Sequence, residues 1–220
     1  MFNYSDKLNT LMETVKRIYE ENWGKYPPSH DFLHVKRVLV IAEKIAREEG
    51  FTEEDILILK TAVILHDIAI AVTGSKNNHA EKSSKIAEDM LRKLGYPSKA
   101  VEVICTAIAE HSWRVNRKPS SRISAILQDA DRIDALGAIG LARLFSYSTI
   151  LGRLFYNEEE PIPRSRQLNE DRYALDHVFT KLAKIPDRMN TASGRRIAEN
   201  RLKLLLKILG YMEREIEGKM

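Results

Sequence analysis

His66 and Asp67 stand next to each other in the most apolar stretch of the chain, Ala62–Val72, and are its only polar side chains. An ionised carboxylate in apolar surroundings is costly unless a positive charge meets it. A divalent metal ion would do so, since neutral imidazole and carboxylate are both metal ligands. The pair alone also fits a buried histidine–aspartate hydrogen bond. The metal hypothesis therefore depends on further ligands elsewhere in the chain.

Further candidate ligands occur where helical periodicity turns polar side chains toward a core. His34 lies one helical turn before Val38, on the apolar face of a predicted helix. Asp131 shares a helix face with Leu127, whereas Asp129 is predicted to lie at a more solvated position. Asp131 is therefore the acid of its helix that we expect to point inward.

The predicted metal ligands are two imidazoles and two carboxylates on three helices: His34, His66, Asp67 and Asp131. Mixed nitrogen and oxygen donors suit Mn²⁺, Fe²⁺, Co²⁺, Ni²⁺ or Zn²⁺ better than Ca²⁺. An octahedral ion with these four ligands would keep about two positions for water and a substrate oxygen. One ion is expected, with two as the alternative.

Three segments of the chain together resemble the signature blocks of the HD superfamily, metal-dependent phosphohydrolases named for their His-Asp doublet. The segments are HDFLHVKRV with His34, AVILHDIA with His66 and Asp67, and LQDADRIDALGAIGLAR with Asp131. The likeness is to the small stand-alone bacterial HD hydrolases, and it extends over most of the chain. It implies an all-α HD-domain helical bundle with additional C-terminal helices, and the same four metal ligands.

The resemblance also bears on the side chains around the metal. His79 and His111 match positions where two-metal members of the superfamily place extra histidines; around a single metal they would contact substrate or support the ligands. Some nucleotidases of the superfamily carry a glutamate shortly after the doublet, where this chain has Ile68–Ala71. The candidates for catalysis are therefore Asp67, His79, Glu81 and His111.

The expected function is metal-dependent hydrolysis of a phosphoester or phosphoanhydride in a small phosphorylated substrate, most simply a nucleotide. The reaction would convert a nucleoside triphosphate to the monophosphate and pyrophosphate, or release phosphate. Candidate phosphate-binding cations are Arg37, Lys82 and Arg132. Two alternatives stay open: a di-iron oxygenase on the HD fold, and a non-catalytic metal or nucleotide sensor.

Helical periodicity runs through almost the whole sequence and predicts an all-α protein. We expect one domain over residues 1–220, with a core at about 25–146, an irregular loop at about 148–169 and C-terminal helices over 170–217. The third helix is expected to run through the His-Asp doublet, and the sixth to continue to about Phe145. The next two helices are predicted near Asp171–Ala183 and Thr191–Glu217.

Composition narrows the partners of the 220-residue chain. A net charge of +4 mildly favours an anionic partner, and the chain carries no nucleic-acid-binding signature, which disfavours nucleic acid. The single cysteine, Cys105, excludes a disulfide framework, and the polar N-terminus argues against a signal peptide. We expect no apolar run to reach the roughly 20 residues that span a bilayer, and we therefore expect a cytoplasmic protein without a membrane partner. The sequence does not indicate the oligomeric state.

Overall fold

A computed structural model describes residues 3–114 and 117–219 of the chain. Within these residues the regular structure is helical, as predicted, and an isolated bridge pairs Leu154 with Tyr173. The α-helices are α1 (Tyr4–Glu21), α2 (Phe32–Glu48), α3 (Glu53–Leu65), α4 (Ile68–Thr73), α5 (His79–Lys93), α6 (Ser98–Glu110), α7 (Arg122–Ile133), α8 (Gly137–Ile150), α9 (Asp176–Thr180) and α10 (Ala192–Ile216). The chain forms two compact units, Met1–Asp131 and Arg132–Met220. The assignment of one domain to residues 1–220 stays a prediction.

Helix α3 is the central helix of the first unit and packs against α1, α2 and α6. Thr52 and Asp55 form a capping box that satisfies backbone donors at its N-terminus. Beyond this cap the helix is apolar except for Lys60 and Thr61, and every residue from Thr61 to Ala71 is buried. A helix that is hydrophobic all round belongs in the middle of a core.

The predicted uninterrupted helix through the His-Asp doublet is wrong, because α3 ends at Leu65 and α4 begins at Ile68. Asp67, with φ −110° and ψ 14°, lies outside both helices. The break frees the backbone N–H of Ala69, which donates to the Ser83 hydroxyl of α5 at 3.1 Å. A contact with another helix therefore satisfies the backbone N–H group that the break leaves unpaired within the helix. The sequence around the break contains no proline or glycine that would predict it.

Gly74 directly follows α4 and caps its C-terminal end. Only glycine can adopt the backbone conformation of this position without strain. Its φ of +67° is left-handed, and its N–H donates to the Ile70 carbonyl at 2.8 Å. A Cβ at this position would lie 2.3 Å from the backbone oxygen of Lys25. The turn after α4 is therefore pressed against the segment that follows α1.

The segment Glu53–Thr73 is long and apolar enough to cross a membrane by length and composition alone, with a mean hydropathy of 2.0. This differs from the expectation that no run is long enough. However, 72% of the apolar window is buried inside the structure. The core helix of a soluble protein meets the same criterion, and the burial matches that case.

The predicted continuous sixth helix is also wrong, since α7 ends at Ile133 and α8 starts at Gly137. Gly137 has a φ of +75°, a conformation that glycine adopts freely. Asp129 is buried rather than solvated. A helical wheel could not reveal this, because residues 126–130 of α7 are buried on every side.

In the second unit, α8 packs against α10, whose position agrees with the prediction. The helix predicted near Asp171–Ala183 is reduced to α9 and two short 3₁₀ turns. The reason is that the Asp176 carboxylate binds the Arg166 guanidinium and the Asn169 N–H, which holds the preceding residues in a loop. The predicted irregular loop is present, and Glu160 orders it by accepting three backbone N–H bonds, from residues 164–166.

Candidate metal centre

The break in the central helix places His66 and Asp67 in the core, where they are 0% and 2% exposed. His66 Nδ1 lies 2.7 Å from the backbone oxygen of Val63. Because a carbonyl only accepts, Nδ1 carries the proton and Nε2 presents a lone pair. This is the tautomer that a histidine needs when it binds a metal through Nε2.

The four predicted ligands lie together, in what we call the first cluster: His34, His66, Asp131 and Oδ2 of Asp67. The Nε2 atoms of His34 and His66 are 3.2 Å apart. Asp131 Oδ1 lies 3.3 Å and 3.9 Å from these nitrogens, and Asp67 Oδ2 lies 3.7 Å and 3.5 Å from them. The donor set of two imidazole nitrogens and two carboxylate oxygens fits a divalent transition metal.

The second cluster consists of His79, His111 and Oδ1 of Asp67. The two Nε2 atoms are 3.2 Å apart, and each lies 3.6 Å from Oδ1. His79 Nδ1 contacts the Lys76 carbonyl at 3.1 Å, and His111 Nδ1 contacts the Ile108 carbonyl at 2.6 Å. Both rings therefore turn an Nε2 lone pair toward Asp67, as His66 does.

All of these side chains stand at or near helix ends, where the backbone can bring them to one place. Asp31 caps α2 by accepting the N–H of His34 at 2.8 Å, which fixes the first turn of that helix. His79 is the first residue of α5, and His111 directly follows α6. Asp131 lies in the last turn of α7.

Both carboxylates are held ionised by the imidazoles around them. Burial opposes ionisation of Asp67, but His66, His111 and His30 outweigh it and keep the pKa of this carboxyl well below its usual range. Burial likewise opposes ionisation of Asp131, and His34 and His66 lower its pKa despite it. The centre therefore holds two negative charges that a cation would neutralise.

The imidazoles of the centre differ in the direction of their pKa shifts. Burial lowers the pKa of His66 to about 4, because the attraction of Asp67 offsets it only in part. Burial also lowers the pKa of His79. For His111, burial acts in the same direction, but its interactions with Asp67 and Asp131 prevail and raise the pKa. His111 is thus the ring of the second cluster that retains a proton more readily.

His30 is a member of the centre that the sequence analysis missed. Its Nδ1 lies 2.9 Å from Asp67 Oδ2, and its side chain is 14% exposed. Its ring packs edge-on against His34, with the ring centroids 5.6 Å apart. The available signal was its place four residues before His34, but Pro27 and Pro28 indicate a helix break there.

A second missed feature holds the segment that follows His111. Gln128 Nε2 donates to the Glu110 carbonyl at 2.8 Å and to the Arg117 carbonyl at 3.1 Å. The Glu110 carboxylate accepts the N–H and the hydroxyl of Ser120 at 3.0 Å and 3.1 Å. These bonds link Arg117 and Ser120 to the C-terminal end of α6 and to Gln128 of α7.

The remaining predicted residues lie outside the two clusters. Glu81 and Lys82 are exposed, and Glu81 forms an ion pair of 3.6 Å with Arg117. Arg37 is partly buried one turn beyond His34. Arg132, the first residue of the second unit, is 8% exposed and donates to the Arg188 carbonyl at 2.7 Å. Their roles in proton transfer and phosphate binding stay predictions.

Known proteins are similar to this chain in sequence and in fold. The HD domain family model matches residues 31–136. The uncharacterised protein YpgQ of Bacillus subtilis is 30% identical over 218 residues, which are 97% of this chain and 94% of YpgQ. A crystal structure of an HD-superfamily hydrolase from Bacillus thuringiensis is similar with a TM-score of 0.73 and 28% identity, over 97% of this chain and 98% of that one. The structure of B. subtilis YpgQ in complex with ADP is similar with a TM-score of 0.74 and 24% identity, over 96% of each chain.

The helical fold, the His-Asp doublet and these similarities lead to one assignment. The chain belongs to the HD superfamily, and it is a metal-dependent phosphohydrolase of that superfamily. The predicted fold class and family are thereby confirmed.

Proposed function

We propose that this enzyme hydrolyses a phosphoester or phosphoanhydride bond of a nucleotide, with His34, His66, Asp67 and Asp131 as its metal ligands. The observation that carries the proposal is the convergence of two imidazole Nε2 atoms and two ionised carboxylates in the first cluster. Such a set is expensive to bury without a cation. Its mixed nitrogen and oxygen donors suit Mn²⁺, Fe²⁺, Co²⁺, Ni²⁺ or Zn²⁺.

The second cluster supports a second ion bound by His79, His111 and the other oxygen of Asp67. Asp67 would then contribute Oδ2 to the first cluster and Oδ1 to the second. With one ion only, His79 and His111 are the imidazoles placed to move a proton near neutral pH. The pKa of His111 is raised and that of His79 is lowered, so His111 more readily carries a proton that it can donate, and His79 more readily stays neutral and able to accept one.

When bound, a divalent ion supplies a nucleophilic water at neutral pH and positive charge for a phosphoryl oxygen. The residues of the chain do the rest. Backbone carbonyls hold the Nδ1 protons, so that the rings present Nε2 to the centre. Arg37, Lys82 and Arg132 are the proposed partners of the substrate phosphates, and Glu81 is a candidate for proton transfer through solvent.

A nucleotide is the substrate class that the comparisons support. The relative YpgQ has been crystallised in complex with ADP. The net charge of +4 favours an anionic substrate as well. Cleavage of a nucleoside triphosphate to monophosphate and pyrophosphate, and release of phosphate, are the two reactions to distinguish. We place the activity in the cytoplasm, in keeping with a chain that has one cysteine.

The test combines metal analysis with a turnover screen. Protein purified without chelator is analysed for Mn, Fe, Co, Ni and Zn, and nucleoside mono-, di- and triphosphates are assayed for phosphate and pyrophosphate release. We expect metal in the wild-type protein and its loss with activity in Asp131→Asn. The matched control is Asp89→Asn, which neutralises an exposed acid of α5. Bound metal without turnover of any nucleotide would contradict the proposal and favour a sensor.

A di-iron oxygenase is the second candidate, and the shared carboxylate is the observation that favours it. Asp67 and the five side chains with donor atoms around it could bind two irons: His34, His66, Asp67, His79, His111 and Asp131. Anaerobic reconstitution with Fe²⁺ followed by mild oxidation would give a mixed-valent electron paramagnetic resonance signal in that case. Oxygen consumption with an organic substrate, without phosphate release, would decide for the oxygenase.

A further inference from the structure

His30 reaches Asp67 with the opposite ring nitrogen from the other histidines of the centre. In His66, His79 and His111, Nδ1 faces a backbone carbonyl and Nε2 faces the carboxylates. In His30, Nδ1 itself lies 2.9 Å from Asp67 Oδ2. An ionised carboxylate oxygen only accepts, so this nitrogen must carry the proton. It therefore has no lone pair to offer a metal.

The backbone around His30 is fixed on both sides. Pro28 occupies the first position of the 3₁₀ turn that ends at His30, and the His30 N–H donates to the Pro27 carbonyl at 2.8 Å. The next residue, Asp31, caps α2. The imidazole of His30 is consequently presented to Asp67 by a rigid turn rather than by a mobile loop.

We propose that His30 is a positioning residue that sets the orientation of the Asp67 carboxylate between the two clusters. Rotation of the carboxylate about its Cβ–Cγ bond would take Oδ2 away from the first cluster and Oδ1 away from the second. A directional N–H bond on Oδ2 opposes that rotation and leaves Oδ1 turned toward His79 and His111. This inference rests on the proposed metal site and deepens it, because it assigns the residue that aligns the shared ligand.

Three variants separate a proton donor from an imidazole ligand. His30→Asn places an amide N–H near the position of Nδ1, His30→Gln places one near Nε2, and His30→Ala removes the donor. We expect His30→Asn to bind Co²⁺ nearly as well as the wild type. We expect His30→Gln and His30→Ala to bind it roughly 10- to 100-fold more weakly, the range typical of partners that orient metal ligands. The affinity is measured by competition with a chelating dye.

The control is His177→Ala in the second unit. His177 Nδ1 also lies 2.9 Å from a carboxylate, that of Glu170, but neither residue belongs to the two clusters. Its loss should leave the affinity for Co²⁺ unchanged. Thermal unfolding of each metal-free variant identifies any change that is merely structural, and if His30→Ala does not fold, the contrast between His30→Asn and His30→Gln decides.

Two results would overturn the role of His30. One is wild-type affinity in all three variants. The other is an equal loss in all three, together with a changed Co²⁺ absorption spectrum, which would make His30 a ligand.

A metal-free measurement separates this inference from the proposed function. Long-range ¹H–¹⁵N spectra of the wild-type apoprotein report which ring nitrogens carry protons. We expect a protonated Nδ1 in His30, and an unprotonated Nδ1 would overturn the hydrogen bond. If no nucleotide is hydrolysed, the proposed function fails while the spectra and the Co²⁺ affinities still decide the role of His30.

Discussion

Replacing Asp67 with asparagine removes one negative charge and keeps the shape of the side chain. The substitution therefore tests the shared carboxylate directly. Asp67 is 2% exposed, and its oxygens lie 3.5–3.7 Å from the Nε2 atoms of four imidazoles. We expect two consequences, one in the metal-free protein and one in metal binding.

In the metal-free protein, the pKa of His111 should fall. Two unit charges at the 3.6 Å that separates His111 from Asp67 attract each other by about 5 kcal/mol at an effective dielectric constant near 20. This energy corresponds to a shift of at most about 3 pKa units. Loss of the carboxylate destabilises the imidazolium form, so the direction is downward. The assay is an NMR titration of the histidine rings in the apo forms of both proteins.

In metal binding, the same variant should lose a ligand common to both clusters. We expect the metal content after dialysis to fall to background, with loss of phosphate release. The exposed Asp89→Asn variant should retain both. Wild-type metal content and activity in Asp67→Asn, or an unchanged pKa of His111, would refute the reasoning from geometry.

Two further predictions follow from the clusters and from the turn after α4. In a two-ion form, acidification should release the ion of the second cluster first, because His111 has a raised pKa while that of His66 is about 4. Metal content measured between pH 7 and pH 5 on samples equilibrated by dialysis would show simultaneous release if this were wrong. Gly74→Ala should lower the free energy of unfolding by more than the ~1–2 kcal/mol of a left-handed alanine, since its Cβ also meets the Lys25 carbonyl oxygen. Gly95→Ala is the control in a denaturant titration, because Gly95 has a φ of +77° but open space around an added Cβ. An equal loss of unfolding free energy in both variants would show that the contact with the Lys25 carbonyl oxygen does not matter.

Periodicity predicted the helices well where one face is apolar and the other is polar. Helix α10, at Ala192–Ile216, lies within one residue of each of its predicted bounds. The method failed in α3, where apolar side chains surround most of the helix and no polar face sets the phase. It also failed in α7, where residues 126–130 are buried on every side although three of them are apolar and two are polar. There the breaks depend on long-range contacts, such as the Ser83 hydroxyl that satisfies the N–H of Ala69.

The side chains of the first cluster could be singled out from the sequence because their chemistry conflicts with their surroundings. His66 and Asp67 are conspicuous in an apolar run, and Asp131 follows an apolar face. His30 could not be found in this way, because it lies in a polar, proline-rich turn where a histidine is unremarkable. The bond from Gln128 to the Glu110 carbonyl could not be predicted either, since it depends on how the two successive helices α6 and α7 pack against each other.

A cation bound at the interruption of the central helix would also stabilise the folded chain. Thr61–Ala71 is the most buried run of the described chain, and its two charged or ionisable side chains sit in its middle. An ion that binds only the folded chain adds about 2.7 kcal/mol of stability when its free concentration is 100 times its dissociation constant. Removal of the ion by a chelator should thus lower the free energy of unfolding, and the melting temperature should rise with the concentration of free metal.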